Sequence, residues 1–154
     1  MKIPVIILFV LTLVLAGCSG SQTGNNELPL TFYNSHADAW INMMPGSQQT
    51  FFVTGSFRVK NNGDSPVSNI KIIKCLVSQN KDVIYDLIPV LQDSLGSPLS
   101  VAPGQLEKAL FTSKGVALQN EFNPDQPVDL TIYLISGKMT KQVIIPGVKI
   151  TKAY

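Results

Sequence analysis

Residues 50–60 show the clearest alternation of apolar and polar positions in the chain. In an extended strand, one face of this segment would carry the apolar residues Phe51, Val53, Phe57 and Val59. A period of two, built from aromatic and β-branched residues, predicts a half-buried β-strand. The segment 128–135 alternates in the same way. Both segments are therefore predicted to line one face of a hydrophobic core.

Turn-forming residues divide the remaining sequence into further short strands. Asn61–Pro66 and Ala102–Gly104 are dense in residues that tolerate or fix turn conformations. The other predicted strands are one within 28–42, and 67–78, 83–91, 99–101, 105–112 and 141–150. Pro89 predicts an edge or a bulge, and 114–126 is predicted to be a long connection with room for a helical turn. About seven to eight short strands without a helical period predict an all-β fold, an antiparallel sandwich of two sheets over residues 28–154.

The first eighteen residues have a different character from the rest. Lys2 is followed by an unbroken apolar run from Ile3 to Leu15. This run is shorter than the roughly 20 residues that a membrane-spanning helix needs. It has the length of a signal-peptide apolar region, and the small residues Ala16 and Gly17 follow it. Residues 1–17 are therefore predicted to be a cleaved signal peptide.

The sequence Leu15-Ala16-Gly17-Cys18 resembles the lipobox of bacterial lipoproteins. The resemblance implies that Cys18 is diacylated with palmitate-type chains, that cleavage occurs before it, and that the host is bacterial or archaeal. Two acyl chains suffice for stable membrane anchoring. Because Ser19 rather than Asp follows the cysteine, the resemblance implies the outer membrane if the host is Gram-negative. Residues 18–27, rich in Gly, Ser and Asn, are predicted to be a flexible tether.

A second resemblance concerns the folded part. Gly55–Ile72, followed by Val101–Gly104, resembles the strand-turn-strand and Pro-Gly turn of immunoglobulin-like domains in cell-envelope proteins, including the FxLYD type. Of the Leu-Tyr-Asp signature only Tyr85-Asp86 is present, in a later strand. The resemblance therefore implies an immunoglobulin-like architecture rather than membership of that named family.

Composition and charge narrow the function classes. Charged residues make up 14% of the chain and hydrophobic residues 45%, which argues against disorder. The formal charge of +2 includes Lys2, so loss of the leader leaves the domain almost neutral. A near-neutral domain without a basic patch is not expected to bind nucleic acid.

Few residues offer catalytic or metal-binding chemistry. His36 is the only histidine, and with Asp38 and a serine it is the one candidate for a hydrolase. Zinc sites use three or four Cys, His or carboxylate ligands, so no metal, cofactor or catalytic site is expected. With Cys18 lipidated, Cys75 has no disulfide partner. It is either a reactive thiol or, as its apolar strand favours, a buried small hydrophobe.

Trp40, Met43 and Met44 precede a Pro-Gly turn. Aromatic and thioether side chains suit adaptable binding surfaces, although they would equally cap one end of the core. These features predict a non-enzymatic, lipid-anchored module that binds or scaffolds another envelope protein. The alternatives are a small-ligand binder with a pocket between the sheets or under 114–126, and a hydrolase that uses His36.

Overall fold

The computed structural model describes residues 26–154, which form eleven β-strands and no helix. The strands are β1 Leu30–Asn42, β2 Thr50–Asn61, β3 Val67–Gln79, β4 Asp82–Leu87, β5 Val90–Asp93, β6 Leu99–Val101, β7 Leu106–Thr112, β8 Val116–Ala117, β9 Val128–Ser136, β10 Met139–Val148 and β11 Ile150–Ala153. Among these residues no helix has the length and apolar character that crossing a membrane requires. The predicted signal peptide, Cys18 and Ser19 lie outside the described residues.

The strands form two sheets that face each other across one core, which confirms the predicted all-β, two-sheet class. The six-stranded sheet has the order β11-β1-β2-β7-β5, with β8 also paired to β2. The five-stranded sheet has the order β10-β9-β3-β4, with β6 also paired to β3. The purely antiparallel prediction needs one correction, because β11 runs parallel to β1. A register shift between Ile145 and Val148, beside Gly147 at a φ of +66°, precedes the passage of the chain from β10 to the other sheet.

The alternating segments pack as predicted. The alternate apolar positions named in the prediction are at most 1% exposed in β2 and β9, and they are Phe51, Val53, Phe57, Val59, Val128, Leu130, Ile132 and Leu134. At one end of the core the Phe51 ring stacks on Tyr85, with centroids 5.0 Å apart, and Phe122 packs edge-on against both. Burial of these side chains is the main favourable contribution to folding.

The strand count and the prediction of one strand over 83–91 were wrong. The structure has eleven strands rather than seven to eight. Residues 83–91, predicted as one strand, are split between β4 in the five-stranded sheet and β5 in the six-stranded sheet. Pro89 lies between them, where its missing N–H interrupts strand pairing. The connection 114–126 contains the short strand β8 and turns rather than a helical turn.

The turn motif behind the immunoglobulin-like resemblance is held by a buried amide. Asn61 is 0% exposed. Its Nδ2 donates to the carbonyl oxygens of Ser65 (2.8 Å) and Val101 (3.0 Å), and its Oδ1 accepts from the Gly63 N–H (2.9 Å). Its backbone oxygen accepts from the Gly104 N–H at 2.8 Å. The side chain of Asn61 therefore closes the β2–β3 turn and ties it to the end of β6, and its backbone ties it to the β6–β7 turn.

Candidate interaction surfaces

The three residues predicted as a partner surface do not share one environment. The Trp40 ring stacks on Phe52, with centroids 4.1 Å apart and planes 9° apart, and is half-buried. Met43 packs against the core, and its N–H donates to the Ala153 oxygen at 2.7 Å. Met44 is 57% exposed. Much of the apolar surface of the first two residues is therefore used within the fold, and the role of all three in binding stays a prediction.

His36 and Asp38 form an exposed pair on the six-stranded sheet. His36 Nε2 lies 3.4 Å from Asp38 Oδ2, and their side chains are 72% and 69% exposed. Ser56 lies opposite His36 on β2. Within residues 26–154, however, no serine hydroxyl is hydrogen-bonded to the His36 ring, a contact that would activate a nucleophile. The hydrolase hypothesis stays a prediction. It would be supported if a hydrolase activity were identified and the His36→Ala variant lost it.

Cys75 has the environment of a core residue. It is 0% exposed and lies on β3 opposite Ile132 of β9. Burial, together with the nearby Asp86 carboxylate, raises the pKa of the Cys75 thiol to about 12. The thiol is therefore protonated at neutral pH and weakly nucleophilic. The expectation of a buried small hydrophobe is confirmed.

The N-terminal entry of the chain is fixed to the five-stranded sheet. Asn26 and Glu27, which were predicted to end the tether, pair with β10. The Thr140 N–H donates to the Asn26 oxygen at 2.8 Å. Glu27 forms a parallel bridge with Thr140 and an ion pair with Lys141. Thr140 is paired with Ile135, which is paired with Lys71. Three strand spacings separate Glu27 from Lys71, about 14 Å in all.

A groove opens beside Lys71. It is lined by residues 69–72 of β3, by 89–92, and by Gly96 and Pro98, and its volume is about 460 Å³. We call it the edge groove. Its lining is mostly apolar, and Lys71 is the single charged residue among those that line it. A volume of this size lies within the range of ligand-binding sites.

Exposed apolar side chains belong to residues that line the edge groove or are next to its lining residues in sequence. Ile88 is 71% exposed, Val90 56% and Leu95 89%. The loop that presents Leu95 is ordered by Asp93, whose Oδ1 accepts from the Leu95 and Ser97 N–H groups, each at 2.8 Å. Leu95 is thus held in solvent by a hydrogen-bonded turn rather than left on a loose loop.

Sequence reasoning missed this surface. The one available signal was the sequence Leu87-Ile88-Pro89-Val90-Leu91, an apolar stretch interrupted by proline. Within a single strand, alternate residues of that stretch would have faced the core. The structure keeps this alternation across the change of sheet: Leu87 and Leu91 are buried, whereas Ile88 and Val90 face solvent.

Among residues 26–154, no group of three or more His, Cys, Asp or Glu side chains is arranged so that it could hold a metal ion.

No protein-family model matches the chain, and no curated protein is similar to it in sequence.

Proposed function

We propose that this chain is a lipid-anchored protein of the cell envelope whose immunoglobulin-like β-sandwich binds or positions another envelope protein without catalysing a reaction. The observation that carries the binding role is the group of exposed apolar side chains, Ile88, Val90 and Leu95, around the edge groove. Exposed apolar groups that cluster beside a concave site are typical of interaction surfaces.

The anchor rests on the lipobox-like sequence at Cys18. The tether between Cys18 and the first paired residues, Asn26 and Glu27, is short. For a flexible chain of about eight residues the mean span is about 15 Å. A domain held this way stays close to the membrane surface, and the edge groove lies about 14 Å from the tether's end. The proposed location is the outer membrane in a Gram-negative host and the outer face of the cell membrane in other hosts.

The immunoglobulin-like assignment gains a physical basis from the turn residues. Asn69 has a φ of +54° at a register shift in β3, and Gly104 has a φ of +72° in the β6–β7 turn. Asn and Gly are the residues that adopt this left-handed conformation at least cost. The motif residues that carry the resemblance therefore have defined conformational roles in this sandwich.

The anchor is tested by metabolic labelling with a palmitate analogue and by mass spectrometry of the mature N-terminus. We expect the wild-type chain to begin at an acylated Cys18 and Cys18→Ser to lose the label. Cys75→Ala is the matched control, because it removes the other cysteine, and it should keep the label. An intact leader, or an unmodified Cys18 at the N-terminus, would refute the anchor.

The binding role is tested by photocrosslinking in intact producing cells. A photoreactive aromatic residue introduced at Leu95 should give adducts of discrete mass. The matched control is Ile144, which is 58% exposed on β10, the opposite edge of the five-stranded sheet from β4. Adducts from Leu95 alone support the proposal. Equal adduct patterns from both positions, or none from Leu95, contradict it.

A small-ligand function is the second candidate, favoured by the volume and apolar lining of the edge groove. It predicts that a hydrophobic fluorescent probe binds with a defined stoichiometry and that a bulky substitution at Val90 displaces it. Binding without saturation would reject this candidate.

A further inference from the structure

One side of β3 is left without a strand partner over a short central stretch. β4 pairs with β3 from Cys75 to Gln79, and β6 pairs with it at Val67 and Ile70. β9 occupies the other side, as its pairing with Lys71 and the Ser136–Ser68 hydrogen bond show. Within residues 26–154, no strand pairs with residues 71–74 on the side shared by β4 and β6.

The gap arises because the chain leaves the sheet between β4 and β6. After Leu87 it crosses to the six-stranded sheet, forms β5 there, and returns at Leu99. The edge groove lies between this excursion and residues 69–72 of β3. Unpaired backbone of the central strand and an apolar recess therefore occur at the same place.

We propose that this gap accepts a short extended segment of the partner protein, which pairs with residues 71–74 of β3, places an apolar side chain in the edge groove and sets a carboxylate against Lys71. This inference rests on the binding function proposed above and names where and how the partner is recognised. The mode is strand addition, in which backbone hydrogen bonds provide affinity and a side-chain pocket provides selectivity.

The backbone favours a polypeptide as the occupant. In an antiparallel strand, alternate residues direct both N–H and C=O to the same side. Residues 71–74 span about 13 Å and contain a register shift against β9 between Ile72 and Lys74, so they present about one or two such donor–acceptor sets. An extended peptide matches this alternation of donors and acceptors, whereas an acyl chain matches none of it.

Charge favours an acidic residue in that peptide. Lys71 is exposed and is the single charged residue of the groove lining. The neighbouring Lys74 lies 3.5 Å from Asp86 and is already paired, whereas no carboxylate among residues 26–154 lies within ion-pair distance of Lys71. A carboxylate on the partner would complete an ion pair at the mouth of the groove.

The test uses the full-length lipidated protein in nanodiscs and a displayed library of random ten-residue peptides. We expect the selected peptides to share an apolar residue next to Asp or Glu. A synthetic peptide of that sequence should bind at least about fivefold more weakly to Lys71→Glu. Methylation of its amide nitrogens, one at a time, should cost about fivefold or more at alternate positions only. Lys108→Glu, a charge reversal at an exposed lysine of β7, is the matched control and should leave binding unchanged.

The outcomes separate this inference from the proposed function. If Leu95 crosslinks to a partner but no peptide is enriched, the gap is not the recognition site and the binding function stands. If peptides bind equally to wild type and Lys71→Glu, the carboxylate contact is refuted. If they tolerate methylation at every amide, strand addition is refuted. If a fluorescent fatty acid binds in a Lys71-dependent manner while peptides do not, the site is a small-ligand site. An unchanged urea midpoint for Lys71→Glu will show that the variant is folded.

Discussion

Replacement of Asn61 by alanine should destabilise the fold far more than its place beside a surface turn suggests. The side chain is fully buried and makes three hydrogen bonds, two as donor and one as acceptor. Two of its partners, the Ser65 oxygen and the Gly63 N–H, belong to the β2–β3 turn. The third, the Val101 oxygen, belongs to the strand β6. Asn61→Ala removes all three bonds and leaves these backbone groups beside a small void.

The expected magnitude follows from the number and burial of these bonds. A typical intramolecular hydrogen bond contributes about 1 kcal/mol net, and a buried group left unpaired costs about 1–3 kcal/mol. The three bonds of Asn61 together give an expected loss of about 3 kcal/mol.

Asn61→Asp is nearly isosteric but turns the two donors into acceptors that face two carbonyl oxygens. The pKa of the carboxyl introduced there should be raised in the folded state, so this variant should gain stability as the pH falls toward 4.

Urea unfolding followed by the fluorescence of Trp40, the only tryptophan, measures both variants. The midpoint should fall while the denaturant slope stays constant. Asn62→Ala is the matched control, because Asn62 is the exposed neighbour and its side chain donates to the Thr31 hydroxyl at the surface. It should cost less than about 1 kcal/mol. A loss for Asn61→Ala as small as that of the control, or an Asn61→Asp variant insensitive to pH, would show that the buried amide does not hold the two turns together.

Three further predictions test the core. Cys75 should resist thiol reagents in the folded protein and react in urea. The pKa of the Cys75 thiol is raised from 9.0 to about 12 in the folded state. The contribution of this thiol to the free energy of unfolding is therefore complete below pH 9 and should fall by about 1.4 kcal/mol per pH unit above pH 9. Cys75→Ala should lack this pH dependence. Gly55→Ala should cost about 3 kcal/mol in urea unfolding, since a Cβ there would lie 2.3 Å from the Phe111 ring and 2.5 Å from a backbone oxygen; a loss below 1 kcal/mol would contradict this. Gln79→Leu removes three hydrogen bonds to the 123–126 segment and should speed proteolysis within 118–127 several-fold, whereas an unchanged rate would mean that other contacts hold this segment.

The sequence predicted the core strands because their burial is one-sided. In β2 and β9 one face packs inward and the other does not, so the alternation of residue types reports the structure directly. The turns were also predictable, since the Asn61 side chain bonds within the 61–66 turn and Gly104 has a φ of +72°. Each of these two signals is contained within a short segment of the sequence.

The exposed surface was not predictable from the same signals. Apolar residues at 88, 90 and 95 have the same composition as core residues, and in the stretch 87–91 both faces are apolar, so composition does not show which face is exposed. Trp40 illustrates the opposite case, since its neighbour Phe52, which covers one face of its ring, is known only from the pairing of β1 with β2. Long-range pairing decides which apolar residues remain available for a partner.

The short gap in strand pairing also limits edge-to-edge assembly of this chain. A long unpaired strand would accept a strand from any other copy of the chain. Here β4 and β6 cover β3 on both sides of residues 71–74, so only a short segment fits between them. The gap therefore limits pairing by length, and Lys71 and the apolar lining of the edge groove limit it further by chemistry. A variant that lengthens the gap by disrupting β6 without changing the core, such as Ser100→Pro at the exposed position of β6, should lose this restriction and aggregate, while Ser100→Ala at the same position should not. Light scattering distinguishes the two variants, and equal behaviour would mean that gap length does not limit pairing.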